Sequence, residues 1–314
     1  MPRLAFLPML SAMARRIGAE NAPGRHSERR DVAGLRILWV LLPLLSGPLV
    51  ADALHDMDPG PRSTASALLW TLWAIAMAAT FVPLPATLTV LRLGGPAVAV
   101  LTAWSAATSD DAVHIGFGLA AGALAALASF AAPVADRFVD GASYGDERRF
   151  LLRSPGPVAL VLGPMATAIS MISAAAGPIL LLDRHWVAGS VATGIGWPLA
   201  ALAVRALHRL TRRWIVLVPA GFVLHDHLSL AEPTLLQRAS LERIVAAPAG
   251  TGAMDLTQRA RGLALEVRCR RPHDVLPADG RKATELMAVE AFLCSPARPD
   301  VVLAEAARRR LPTG

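Results

Sequence analysis

Apolar residues run almost unbroken from position 63 to position 205, and charged residues gather toward the two ends of the chain. A hydrocarbon core of about 30 Å takes about 20 mostly apolar residues in helix. Candidate spans of that kind lie at 35–54, 64–83, 86–107, 113–135, 157–182 and 186–205. The second and third are joined without charge. Pro83 and Pro85 set a break between them, because proline removes a helix hydrogen bond and restricts the residue before it.

From Arg213 the period shortens to two, the spacing of half-buried strands. Trp214–Val218 and 222–225 flank Pro219-Ala220-Gly221, a hairpin signal. Further strand-like runs lie at Leu241–Ala246, 263–270 and 286–294. A helix is predicted over 300–311 with Asp300 as its cap. The fold class is therefore an α-helical membrane bundle of about six transmembrane helices. A small α+β, pleckstrin-homology-like cytoplasmic domain follows it. The domains are a cytoplasmic leader (1–34), a six-helix transmembrane domain (35–207) and a β-rich domain with a C-terminal helix (208–314).

Composition removes the soluble alternative. Of 314 residues 54% are hydrophobic and 18% charged, with a mean hydropathy of +0.45, far from the usual soluble balance. Net charge is +7, and Lys282 is the single lysine among 31 basic residues. Arginine in place of lysine, with Ala, Leu and Val filling the spans, is the usage of a GC-rich genome, so the basic excess is not taken as nucleic-acid binding. It fixes topology instead. Residues 1–34 carry six Arg against three acids, and the chain from 205 onward holds 17 basic residues against 11 acids. The opposite loops hold Arg62 and Arg184 beside Asp52, Asp56, Asp58, Asp110, Asp111 and Asp183. By the positive-inside rule both termini are cytoplasmic, at a bacterial plasma membrane. An odd number of spans would put the Arg-rich tail outside. Residues 4–13 are apolar but run into Arg15 and Arg16 without a small-residue cleavage site. They read as a leader or a short surface helix rather than a cleaved signal.

Inside the spans, Gly118 and Gly122 form a GxxxG, and Gly189, Gly194 and Gly196 recur in the sixth. Small residues of this kind let helix backbones approach closely in lipid. Gly163-Pro164 and Gly177-Pro178 are expected to kink or interrupt the fifth span, as in the broken helices of transporters. Arg92 is the one ionisable residue at membrane depth, about two turns from the inner end of its span, within snorkelling reach. The scarcity of such residues argues against a proton-coupled pump.

Chemistry-bearing patterns are few. Gly141-Ala-Ser143-Tyr-Gly145 matches the nucleophile-elbow pattern but lies in a loop between spans, not at a strand-to-helix turn. That loop is expected to fold on itself at the inner surface, with Arg148, Arg149 and Arg153 facing lipid phosphates or the tail and Tyr144 as an anchor. His225-Asp226-His227 offers two imidazoles on one strand face, but no third ligand follows by spacing, so solvated histidines are expected. His55, Asp56, Asp58, Asp110, Asp111, His114, Asp183 and His185 share the outer loops. Nucleotide-binding, zinc-protease, EF-hand and haem motifs are absent from the sequence. No catalytic residue, metal ligand set or cofactor is assigned. Cys269 and Cys294 read as reduced structural thiols.

The stretches GASYGDERRFLLRSPGP (141–157) and RRWIVLVPAGFVLHDHLSLAEPTLLQRASLERI (212–244) resemble those of a family of multi-pass integral membrane proteins of actinobacteria. The resemblance runs from about the second span to the end of the tail. It implies a location and a layout, not a reaction.

The functional expectation is a non-enzymatic membrane adaptor or regulator. Its basic cytoplasmic domain binds a protein segment or anionic lipid through Arg148, Arg149, Arg153, Arg212 and Arg213, with Arg92 as the intramembrane polar residue. Membrane lipids and a cytoplasmic protein are the partners, and nucleic acid is not. A carrier for an apolar or lipid-linked substrate is the first alternative. An envelope-lipid enzyme using the outer Asp/His set is the second.

Overall fold

A computed structural model describes residues 22–279, 282–283 and 285–314; the apolar stretch 4–13 lies outside them. Six helices are long and apolar enough to cross a membrane. The first comprises α1 (Arg25–Leu45) and, after a one-residue offset at Ser46, α2 (Gly47–Ala53). Glu28, Val32, Leu35, Trp39 and Leu42 form one buried stripe along α1. Their three- and four-residue spacing is that of a single helix face. Residues 25–34 thus continue the first helix, ten residues before the hydropathic run begins.

The second and third candidate spans are α3 (Pro59–Phe81) and α4 (Pro85–Ala106), divided at Pro83 and Pro85 as expected. The fourth is shorter than the predicted 113–135. Helix α5 (Ala112–Ser129) ends at Phe130, and a separate α6 (Ala132–Asp140) begins with Pro133 in its first turn. Gly122 faces Thr102 and the Ala99 backbone, so α4 and α5 approach where a β-carbon would collide.

After α6 the chain forms β1 (Arg148–Leu151) and returns to the helices. A π-helical turn (Val158–Leu162) leads into α7 (Gly163–Leu182), which pairs with α8 (Trp186–Leu210). Gly163-Pro164 marks the change from π to α geometry. Helix α7 passes through Gly177-Pro178 unbroken, so the expected interruption is confined to the first of the two pairs. Gly177 faces Thr193, and Gly196 faces the Ser173 carbonyl. Gly194 meets nothing within 4 Å and takes no part in the packing. Only 6% of the most apolar stretch of residues 158–182 is buried within the protein. Apolar surface of that extent marks a membrane or protein interaction face.

The remaining chain forms two packed sheets. The first is an antiparallel meander of β1, β2 (Trp214–Val218), β3 (Gly221–His225) and β4 (Thr234–Gln237). The second runs in the order β5 (Leu241–Ala246), β7 (Leu265–Val275), β10 (Met287–Cys294) and β6 (Met254–Asp255). All its pairs are antiparallel except β6 with β10. A small ladder joins β8 (Ala278–Asp279) to β9 (Lys282–Ala283). Phe150, Ile215, Leu217, Phe222, Leu224, Leu236, Ile244, Val267 and Phe292 fill the space between the sheets. The C-terminal helix α9 (Pro299–Arg308) adds Val301, Val302 and Ala306. Asp300 lies inside its first turn and makes no capping hydrogen bond, in place of the expected cap. Its charge there still opposes the helix dipole favourably.

Strand β1 gives this β module an unexpected origin. Leu151 pairs with Trp214 and Arg148 with Leu217, so the first strand comes from the segment between α6 and α7. The α7–α8 hairpin is an insertion between the first two strands of the sheet. The module does not begin at residue 208; it includes residues 148–151.

Candidate functional site

Alternation in β1 sends Phe150 and Leu152 into the module core, while Leu151 packs with Val134, Phe138 and Trp39 in the core of the helical bundle. One edge of β1 bonds to β2. On its other edge, the Arg149 amide donates to Asp140 Oδ1 at 3.1 Å and the Leu151 amide donates to Asp136 Oδ1 at 3.0 Å. These two carboxylates are four residues apart on α6, one turn, and so meet two alternate strand residues. A sheet edge that would otherwise be open for pairing is covered. Ser143, in the G-x-S-x-G stretch, donates to the same Asp140 Oδ1 at 3.0 Å. It serves this loop and has no strand-to-helix elbow around it.

Arg148 lies at the centre of the junction. It is 1% exposed, with Nη2 2.7 Å from Glu28 Oε1 and Nη1 3.5 Å from Glu305 Oε2. Its guanidinium also stands over Phe150, 5.0 Å from the ring centroid. Arg298 reaches the same Glu28 oxygen at 3.2 Å and lies 3.8 Å from Asp136 Oδ2. Arg25 completes the set on Asp140 at 3.0 Å. The cluster thus takes side chains from α1, α6, β1, the turn before α9 and α9 itself. The beginning of the first long helix and the last helix lie on the same side of the bundle.

Electrostatics differ from carboxylate to carboxylate. Burial pushes Asp136 up to about 7; the Leu151 amide opposes this and the nearby Glu28 charge adds to it. Burial pushes Glu305 the same way. Hydrogen bonds from Arg308 and Arg309, with the Arg148 charge, outweigh it and hold Glu305 below the usual range.

Of the five arginines expected to face lipid, the tail or a partner, Arg148 meets the tail at Glu305, and both it and Arg213 are interior residues. Arg213 makes a bidentate pair with Asp226, both bonds 2.6 Å, and donates to the Arg153 carbonyl at 3.0 Å. Asp226 is 2% exposed, and His225 and His227 beside it are half-buried where solvated histidines are expected. Burial alone would raise the Asp226 pKa, but the Arg213 bonds and charge hold it below the usual carboxylate range. His225 stacks on Trp214 at 5.0 Å, and burial together with the Arg212 charge keeps its pKa low. Arg149 lies over the same indole at 5.2 Å and pairs with Glu147 at 3.3 Å. Arg153 donates to the carbonyls of Leu263 and Ala297. Arg212 is exposed, with no ion-pair partner among the described residues. The structure therefore leaves one of the five, Arg212, open at the surface.

Arg92, in α4, stands 5.5 Å from the Phe130 ring centroid, and its buried Nε has no hydrogen-bond partner among the described residues. At the opposite end of the bundle, His114 Nδ1 lies 3.1 Å from Asp52 Oδ2 and 3.4 Å from Asp111 Oδ2. Asp111 caps α5 through the Val113 and His114 amides, and those bonds lower its pKa. Arg184 faces Asp58 at 3.9 Å, both well exposed. Among the described residues no group of three or more His, Cys, Asp or Glu side chains converges to hold a metal ion. Compared with protein-family models, with curated proteins and with solved structures, the chain matches none.

Proposed function

We propose that this protein is a membrane-embedded adaptor or regulator, with six spans, both ends in the cytoplasm and a pleckstrin-homology-like module that engages a protein segment or anionic lipid. One observation carries the reading: the module is built into the helical bundle. Its first strand lies between α6 and α7, and the Glu28–Arg148–Glu305 bridge fastens that strand to both the first and last helices. A shift of α1 or α6 must move the strand edge and α9 with it. An occupant on the module and the state of the bundle are then coupled, as a regulator requires. Two largely antiparallel sheets closed by a C-terminal helix support the pleckstrin-homology-like assignment, and the basic balance of both ends supports the orientation.

The module carries exposed Leu235 and Met287, with Arg243 and Arg271 also exposed. A photo-crosslinking residue at Leu235, Arg243, Arg271 or Met287 of the full chain in cells should yield a discrete protein or lipid adduct. Absence of any adduct at all four positions would overturn the adaptor reading. A fragment beginning at 208 is unsuitable, since it lacks β1.

A further inference from the structure

An open groove of about 630 Å³ runs along one face of α8, lined by Pro198, Ala201, Leu202, Val204, Arg205 and His208. Its composition changes along its length: four apolar residues come first, and the two polar residues come at the end nearest the module. At 1.5 Å rise per residue, Pro198 to Arg205 gives about 10 Å of wall.

Arg205 and Arg209 follow one turn apart on α8, and Arg212 lies just past its end at Leu210. All three are exposed without an ion-pair partner among the described residues. His208 is fixed by Nδ1, 2.9 Å from Thr89 Oγ1 and 3.3 Å from Thr211 Oγ1. The Thr89 and Thr211 hydroxyls also lie 3.1 Å from the Pro85 carbonyl. This small network ties α8 to the start of α4 at one end of the groove. It leaves Nε2 as the imidazole nitrogen for a ligand.

We propose that this groove is the site of one anionic glycerophospholipid, its acyl chain along Pro198, Ala201, Leu202 and Val204 and its phosphate at Arg205 and Arg209. The charge pattern selects this occupant. Apolar wall at membrane depth admits any acyl chain, whereas unpaired arginines at the headgroup level favour a net negative lipid over a zwitterionic one. A helix from a second copy would bring apolar surface to the wall and leave the arginines without counter-charge. The site rests on the membrane-inserted reading above and is independent of what the module binds.

Full-length protein, purified in a mild detergent, is mixed with equal amounts of phosphatidylglycerol and phosphatidylcholine, and retained lipid is read by native mass spectrometry. Each arginine near an anionic headgroup is worth about fivefold in affinity, so a single phosphatidylglycerol should be retained with roughly tenfold preference or more. Arg205→Ala with Arg209→Ala should bring the two lipids to parity. Leu202→Trp, which fills the groove without touching the arginines, should lower retention of both lipids with the thermal midpoint unchanged. Equal retention of the two lipids by the unaltered protein would overturn the site, as would a preference untouched in both variants. Release of the protein from membranes by alkaline carbonate would overturn the membrane-inserted reading itself, a separate outcome.

Discussion

Arg148 Nη2 lies 2.7 Å from Glu28 Oε1, and 120 residues of chain separate the two. Each side chain is 1% exposed. The pair closes a loop that contains the first four candidate spans, and it does so beside Leu151, where the bundle core meets the module. Isolated charges of this kind are costly to bury. Together with Arg298 and Glu305 they neutralise one another, and the geometry they impose joins four elements.

Removing one partner should therefore be far worse than removing both. Arg148→Met or Glu28→Leu alone should cost up to about 3–5 kcal/mol: the first leaves buried Glu28 with Arg298 as its ion-pair partner, the second leaves buried Arg148 with only the 3.5 Å contact to Glu305. The double variant should recover a substantial part of that loss. Denaturation of the detergent-solubilised full chain, read as a double-mutant cycle, measures the coupling. Additive losses would show that the pair does not hold the junction.

Asp136 gives the junction a pH dependence of definite sign. Its carboxyl titrates near 3.9 when unfolded, and burial lifts it to about 7 in the fold. Between those values the folded protein holds the proton more tightly than the unfolded chain. Stability from this group is complete below about pH 4 and is lost as pH rises toward 7, by at most about 1.4 kcal/mol per unit. Asp136→Asn keeps an oxygen for the Leu151 amide and has no charge to bury. It should flatten the decline between pH 5 and 7 and match or exceed the native protein at pH 8. Thermal midpoints across that range check this; a less stable variant at pH 8 with the slope intact would refute it.

The Arg213–Asp226 pair behaves in the opposite sense. Asp226 is held below its usual range, so its contribution is present above about pH 4 and disappears as pH falls through the lower folded value. Arg213→Lys removes the bidentate geometry and should cost about 1.5–3 kcal/mol near neutrality. The cost should shrink in acid. Hydrogen exchange at the β2 and β3 amides would register it. Unchanged protection there would mean the pair is dispensable.

Close packing of the inserted hairpin is testable at Gly196. A β-carbon there meets the Ser173 carbonyl, so Gly196→Val should force the helices apart at about 1–3 kcal/mol. Gly194→Ala, facing open space, should be silent. Thermal midpoints of the two variants in detergent check this. Equal midpoints would contradict the packing.

Much of this architecture is legible in the sequence. The spans, the proline break at 83–85 and the hairpin over 219–221 follow from periodicity and turn chemistry. Strand β1 is not legible for a physical reason. Both its faces are buried, one in each core, so RRFL shows no clean alternation, and its pairing partner lies more than 60 residues away. The junction acids share that difficulty. Asp136 and Asp140 stand at a recognisable one-turn spacing, yet only the fold shows that they bond to strand amides. Glu28 looked like part of a solvated leader, because hydropathy begins after it while the helix begins before it. Arginine counts located the charged ends correctly without distinguishing Arg148 and Arg213, which are consumed in ion pairs, from Arg205, Arg209 and Arg212, which are not.

Side-specific cysteine labelling tests the central claim most directly. Cys269 and Cys294 are buried and are replaced by alanine; single cysteines then go at Asp56, Tyr144 and Arg310. In spheroplasts, a membrane-impermeant maleimide should label Asp56→Cys at once, and Tyr144→Cys and Arg310→Cys only after lysis. Labelling of the last two from opposite sides would contradict a module built from both segments, and labelling of both from outside would contradict the orientation.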